Sequence, residues 1–182
     1  SGAKLTIEPG TVVKFDSLQA LTVQGTLVAR GTAASPITFT SNSPKPAKGD
    51  WGYIYFTDTS TDATFNVEGN YTGGSIIQYA VIEYAGGVSI AENGALRMEA
   101  SSPYIDHNTI RNNKADGIHG WSNSSPRITN NSVTDNDVAG PKDASGIYVR
   151  DSQTVAVAIS DNTVSRNTGN GIFATGKSAV SG

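Results

Sequence analysis

The sequence predicts an all-β fold, a right-handed single-stranded parallel β-helix of about six to seven coils with three short strands per coil. Three observations predict it. A motif recurs through the second half at intervals in the twenties and low thirties. Short apolar runs stop at Gly, Pro, Ser or Asn along the whole chain. No segment sustains a helical apolar period.

The repeat comes first, because a fixed period decides the architecture. Its units read Ile105-Asp106-His107-Asn108-Thr109-Ile110-Arg111-Asn112-Asn113, Ile128-Thr129-Asn130-Asn131-Ser132-Val133-Thr134-Asp135-Asn136 and Ile159-Ser160-Asp161-Asn162-Thr163-Val164-Ser165-Arg166-Asn167. Gly plus an apolar residue follows each: Gly117-Ile118, Gly146-Ile147 and Gly171-Ile172. An earlier unit keeps Ile77 and Ile82 but carries Ala80 and Ala85 where the others have Asn. Successive units start 28, 23 and 31 residues apart, so loops of variable length are inserted into a shorter basic coil.

One such coil cannot bury its own apolar face, so coils stack and like residues fall above like. Three interior columns follow: Ile105/Ile128/Ile159, Ile110/Val133/Val164 and Ile118/Ile147/Ile172. The Asn columns, Asn108/Asn131/Asn162 and Asn113/Asn136/Asn167, are expected at tight corners, where Asn tolerates a left-handed backbone and stacked amides can form a ladder. The competing role for Asn is glycosylation, for which Asn70-Tyr71-Thr72 and Asn123-Ser124-Ser125 fit the short acceptor pattern.

The first half reads as strands around Leu5-Thr6-Ile7, Val12–Phe15, Leu21-Thr22-Val23, Thr26–Ala29 and Ile37–Thr40. Residues 43–50 and 57–74 read as loops. Gly73-Gly74 and Gly86-Gly87 match no phosphate-loop pattern and read as turns. Residues 1–182 form one domain, expected to be a fragment or subunit of a larger surface protein or assembly.

Composition narrows the function. Hydrophobic residues make up 37% and charged residues only 16%, with net charge −3. No cluster of Lys and Arg interleaves with aromatics, so nucleic acid is not an expected partner. The absence of cysteine excludes disulfides, Cys-ligated zinc and thiol catalysis. No apolar run is long enough for a membrane span.

The segments Leu5-Thr6-Ile7-Glu8-Pro9-Gly10-Thr11-Val12-Val13-Lys14-Phe15, Pro36–Ser41 and Trp51-Gly52-Tyr53-Ile54-Tyr55-Phe56 resemble the opening coils of bacterial and archaeal right-handed parallel β-helix repeat proteins. The Asn-bearing units resemble that group's later coils. The group includes surface proteins, adhesin-like stalks, polysaccharide lyases and epimerases. The resemblance therefore implies an extracellular or cell-surface location and a carbohydrate context, and leaves activity open.

Lyases of this fold place substrate on the outer face of one parallel sheet, which here corresponds to the Gly-Ile strands. With Ile118, Ile147 and Ile172 inward, alternation turns His119, Tyr148 and Phe173 outward, followed by Trp121, Arg150 and Thr175. Tyr53 and Tyr55 face out around Ile54 and Phe56 by the same rule. These residues are the candidate polysaccharide-binding strip. The competing expectation is that inserted loops such as 57–74 bury the aromatics as satellite packing. Aligning Gly94 with Gly117 would turn Leu96 and Met98 outward, so the register of that strand is open.

A lyase needs a base and cations for a uronate, which Arg111, Lys114, Asp116 and His119 could supply; a hydrolase needs paired carboxylates, drawn here from Asp135, Asp137, Asp143 and Asp151. Neither set has a spacing that marks a site, so no catalytic residue is assigned. Asp58, Asp62 and Glu68 are hard oxygen donors for calcium, without a recognised calcium-loop pattern. Strand-like sequence from Leu5 to Val180 with no amphipathic cap suggests the rest of a longer chain or end-to-end self-association. The expected function is a structural or assembly module; the alternatives are a polysaccharide-binding module and a polysaccharide lyase or epimerase.

Overall fold

Each coil places one strand in each of three parallel sheets. The computed structural model describes residues 2–137 and 144–181, with side chains at all of these except 151–156 and 177–181. The first sheet stacks Lys4–Ile7, Thr26–Arg30, Ile76–Gln78, Tyr104–Asp106, Arg127–Thr129 and the end of Ile147–Ser160. The second stacks Val12–Phe15, Ile37–Ser41, Ala80–Glu83, Thr109–Arg111, Ser132–Thr134 and Thr163–Ser165, which defines six coils. The third stacks Leu21–Val23, Ile54–Phe56, Gly94–Glu99, Asp116–Trp121, the start of Ile147–Ser160 and Ile172–Ser181. The strand Ile147–Ser160 runs from the third sheet into the first and joins them.

The interior follows the period. Ile77, Ile105, Ile128 and Ile159 are in register in the first sheet. Ile82, Ile110, Val133 and Val164 align in the second. Ile54, Leu96, Ile118, Ile147 and Ile172 align in the third. Most of these side chains are fully buried, and each buried Ile contributes roughly 2–3 kcal/mol of transfer free energy. Trp51 is enclosed in the early coils, its ring stacked on Phe15 at 4.1 Å with planes 6° apart.

Two corners are built around Asn. Asn108 Nδ2 donates to Ile77 O at 2.9 Å and to Asn131 Oδ1 at 3.0 Å. Asn131 Nδ2 repeats this toward Ile105 O and Asn162 Oδ1. Each Oδ1 also accepts a backbone N–H from the coil before, beginning with Ala80 N to Asn108 Oδ1 at 2.8 Å. Asn113, Asn136 and Asn167 make the same contacts at the second corner, beginning from Ala85 N. The left-handed backbone, however, belongs to the residue before each corner Asn, or before Ala80 and Ala85 in the earlier unit. Tyr79, His107, Asn130 and Asp161 have positive φ at one corner, and Tyr84, Asn112, Asp135 and Arg166 at the other. This left-handed residue turns the chain, and the next residue's amide then points inward to satisfy buried backbone.

The third corner uses serine. Ser124 Oγ accepts from Ser101 N at 3.2 Å and lies 2.9 Å from Met98 O. Glycine at the start of the third-sheet strands also has a steric cause. A Cβ on Gly146 would sit 2.3 Å from Val164 Cγ1 and 2.8 Å from Gly171 O, and one on Gly117 would sit 2.5 Å from Val133 Cγ1. The Asn corner and the next strand approach too closely for a side chain there.

Two of the inserted loops, 43–50 and 57–74, lie on the outside of the early coils. Residues 43–50 run along the stack, and Lys48 Nζ reaches Asp135 O at 2.7 Å and Asp137 Oδ2 at 2.6 Å. Residues 57–74 carry an antiparallel hairpin, Thr64–Phe65 with Tyr71–Gly73. That hairpin covers the first sheet: Phe65 packs edge-on to Tyr104 at 5.2 Å, and Arg127 Nη1 donates to Gly69 O at 2.8 Å. The expectation that 57–74 buries the strip on the third sheet is therefore corrected. The loop leaves the third sheet at Phe56 and enters the first at Ile76, so it folds over the face ahead of it.

Candidate functional site

The outward residues of the third sheet form one connected array. Leu96 pairs with Ile118 and with Ile54, and Gly94 pairs with Asp116 rather than Gly117. This register keeps Leu96 and Met98 inside, both fully buried, and turns Arg97 outward beside Tyr55 and His119. Hydrophobic burial overrides the match of glycine with glycine, because a one-residue slip would expose the whole apolar set.

His119, Tyr148 and Phe173 stand above one another. The His119 and Tyr148 rings are 4.8 Å apart and tilted by 18°; Tyr148 and Phe173 are 4.5 Å apart and tilted by 10°. Trp121 lies against Tyr55, rings parallel to within 11° at 6.0 Å. The Arg97 guanidinium lies 4.5 Å from the Tyr53 ring centre, 4.6 Å from Tyr55 and 5.1 Å from Trp121. Arg97 and Trp121 are each only 8% exposed. Cation–π contact is strengthened by this loss of water. Tyr55 donates to Glu99, and burial, assisted by that carboxylate, pushes its hydroxyl up to about 12.

Glu92 is the hub on the other side. It lies in the loop between Glu83 and Gly94, with φ of 54°. Its backbone oxygen accepts from Arg97 Nε at 2.7 Å. Its Oε2 lies 2.6 Å from His119 Nε2, and its Oε1 accepts from Arg150 Nη2 at 2.6 Å. His119 Nδ1 lies 2.6 Å from Asp116 Oδ2, so the ring sits between two carboxylates. Hydrogen-bonded Arg150 holds the Glu92 carboxyl below its usual range against the effect of burial, and His119 adds to this.

The strip residues Tyr53, Tyr55, His119, Trp121, Tyr148, Arg150 and Phe173 thus share one face, tied together by Glu92 and Arg97, which sequence reasoning missed. The 28-residue interval from Ile77 to Ile105 did mark an insertion there, but nothing marked which residue it would deliver. The lyase set does not come together. Arg111 lies on the second sheet and pairs with Glu83 at 3.1 Å, away from the Asp116–His119 pair. Among the carboxylates, Asp135 is held by Arg166 and Asp137 by Lys48. Asp143 and the side chain of Asp151 lie outside the described residues. Among the described residues no three His, Cys, Asp or Glu side chains gather as a metal site, and Asp62 Oδ1 instead accepts from Ser102 N at 2.6 Å. Also among the described residues, no helix is long and apolar enough to cross a membrane.

A second polar centre lies on the first sheet. Asp106 is 2% exposed, and its carboxylate accepts from Thr129 Oγ1, Asn130 Nδ2 and Gln78 Nε2, with His107 Nδ1 at 2.8 Å. Burial alone would raise this carboxyl, but the bonds from Asn130, Thr129, His107 and Gln78 outweigh it and hold the group below its ordinary value. Both Asp106 and Glu92 therefore titrate lower folded than unfolded, so the unfolded chain takes up more protons in acid. Stability is expected to hold above about pH 5 and to fall below about pH 4.5, as the unfolded-state carboxyls begin to protonate. Urea titrations across this range should show a shallower acid decline for Asp106→Asn than for the unaltered chain. An identical slope would remove Asp106 as a cause.

Compared with known proteins, residues 54–182 match the family model described as right handed beta helix region. No curated protein and no solved structure matches the chain.

Proposed function

The chain belongs to the right-handed β-helix family, and from that premise we propose that it is a structural or assembly module of a secreted or cell-surface protein, a rigid spacer built of stacked coils. The observation that carries this reading is that the most chemically capable residues are engaged with one another. Arg97 is enclosed by Tyr53, Tyr55 and Trp121, and Glu92 binds His119 and Arg150. The Asn corners add rigidity, since each inner amide is bonded on both sides. Coil-on-coil pairing would equally let such a module continue into a longer chain or into another copy.

A polysaccharide-binding module is the second reading, favoured by Tyr148 and Phe173. Both rings are only partly buried and stack into a flat apolar surface of the kind that sugar faces cover. Calcium held by Asp58, Asp62 and Glu68 would belong to this reading, as would lyase or epimerase activity. One experiment ranks them: binding of acidic and neutral polysaccharides, with calcium and with chelator, while following ultraviolet absorbance for unsaturated products. The structural reading expects no strong retention and flat absorbance. Tight retention that Tyr148→Ala abolishes would put the binding module first, and rising absorbance would make the protein a lyase.

A further inference from the structure

We propose that Asn70, at the tip of the hairpin over the first sheet, is a site of N-glycosylation that takes an oligosaccharide from a polyisoprenyl pyrophosphate donor. The inference rests on the reading of the chain as part of a secreted or cell-surface protein, because this transfer takes place on exported chains.

The acceptor pattern is Asn70-Tyr71-Thr72, and Glu68 stands two positions before the Asn. Glu68 completes a longer pattern, acid-x-Asn-x-Ser/Thr, that one class of oligosaccharyltransferase reads. The fold presents this segment to solvent. The strand Tyr71–Gly73 pairs with Thr64–Phe65 and with no other strand among the described residues. Facing alternates through Asn70, Tyr71 and Thr72: the first and third are exposed, as is Glu68, and Tyr71 turns toward the protein. The Tyr71 ring lies on Tyr104 at 6.2 Å, and its hydroxyl donates to Gly74 O at 2.6 Å. The Asn70 backbone is fixed on both sides, since its N–H donates to Asn66 Oδ1 at 2.8 Å and its carbonyl accepts from Asn66 N at 2.9 Å. A fixed turn therefore holds the Asn70 amide and the Thr72 hydroxyl out together, the two groups a transferase engages.

The other match to the three-residue pattern lacks this presentation. Asn123-Ser124-Ser125 lies in the third corner, with Asn123 at φ of 69° and Ser124 fully buried. Ser124 Oγ lies 2.9 Å from Met98 O, and Ser125 N donates to Ser102 Oγ at 3.2 Å. Drawing that segment into an extended shape would break buried hydrogen bonds, and Trp121 rather than an acid stands two positions before it. At Asn70 the transfer needs only the donor and the transferase. Nδ2 attacks the anomeric carbon of the donor sugar and a carbon–nitrogen bond forms. The anomeric carbon–oxygen bond breaks, and its electron pair leaves with the pyrophosphate. The amide proton passes to a carboxylate of the transferase.

The test has two arms. In the first, the folded chain is incubated with a transferase of the acid-reading class and a polyisoprenyl pyrophosphate oligosaccharide, and intact mass and glycopeptides are read by mass spectrometry. The unaltered chain is expected to gain a single glycan, at Asn70. Asn70→Gln, Thr72→Ala and Glu68→Gln should each lose the added mass, whereas Thr72→Ser and Asn123→Gln should keep it. The three hairpin side chains are exposed, so these losses report recognition and not folding. No added mass on the unaltered chain, or a glycan on Asn123 with Asn70 bare, would overturn the site. In the second arm the Asn70 peptide is mapped in protein recovered from the cells that make it. Exported protein with Asn70 glycosylated supports the site and the location together. Exported protein with Asn70 bare overturns the site and leaves the location standing. Protein retained in the cytoplasm overturns both.

Discussion

Replacing Asn131 with alanine is expected to destabilise the protein by about 3–5 kcal/mol, the loss of a buried hydrogen-bonding group and the stranding of its partners. Asn131 is 2% exposed. Its Oδ1 accepts from Asn108 N at 2.9 Å and Asn108 Nδ2 at 3.0 Å, and its Nδ2 donates to Ile105 O at 3.0 Å and Asn162 Oδ1 at 2.9 Å. Alanine removes all four contacts and leaves water no access to the groups left behind. Asn131→Asp should be worse at neutral pH. It keeps both acceptor contacts but sets a charged oxygen against Ile105 O and Asn162 Oδ1, where a donor is required. Stacked coils interact mainly with their neighbours, so the defect should also loosen coupling between the two sides of the break. Urea unfolding is expected to show a lower midpoint and a broader transition for Asn131→Ala. A loss below about 1 kcal/mol, the size of a single ordinary hydrogen bond, would mean that these amides are not supporting the corner.

Trp51→Ala is the second large effect, at about 4–5 kcal/mol for a cavity of this size plus the lost ring stack. Trp51 is fully buried and lies on Phe15 at 4.1 Å, joining the first two coils. Its Nε1 donates to Glu83 O at 2.8 Å, which ties the same ring to the third coil. Alanine would open a void and strand the Glu83 carbonyl at once. Trp51→Phe separates the two terms. It retains most of the stacking surface, so its cost should be about 1–3 kcal/mol, the range for an unsatisfied buried group. Denaturant midpoints followed by far-ultraviolet circular dichroism would measure both. Equal costs for the two variants would show that the hydrogen bond, not the packing, holds these coils together.

Both predictions concern residues that the sequence singled out, for reasons only half right. Asn131 was marked by its column, and it does sit at a corner. The left-handed residue proved to be Asn130, because the turning residue must direct its own side chain away from the core while the next amide enters it. Trp51 was marked by resemblance alone, and its burial follows from the loop 43–50 delivering it beside Phe15. The strip was legible as an alternation: His119, Tyr148 and Phe173 share a column and stack. Its chemistry was not legible, since Glu92 and Arg97 come from the coil that carries Ala80 and Ala85 in place of Asn and an insertion that follows no period.

The sequence by itself determined what is periodic: the coil, the three apolar columns, the two Asn corners and the facing of the Gly-Ile strands, while the register of Gly94–Glu99 was decided by burial of Leu96 and Met98. Stacking makes those features one-dimensional, because every coil meets an almost identical neighbour and must satisfy the same buried groups. Tertiary structure alone decided what the inserted loops cover. It sent residues 57–74 over the first sheet, laid residues 43–50 along the corners, and set Glu92 against His119 and Arg150, 27 and 58 positions away. Loop paths obey no period. They are fixed by contacts that exist only once the coils have stacked, so the outer face on which any function depends is the part the repeat cannot specify.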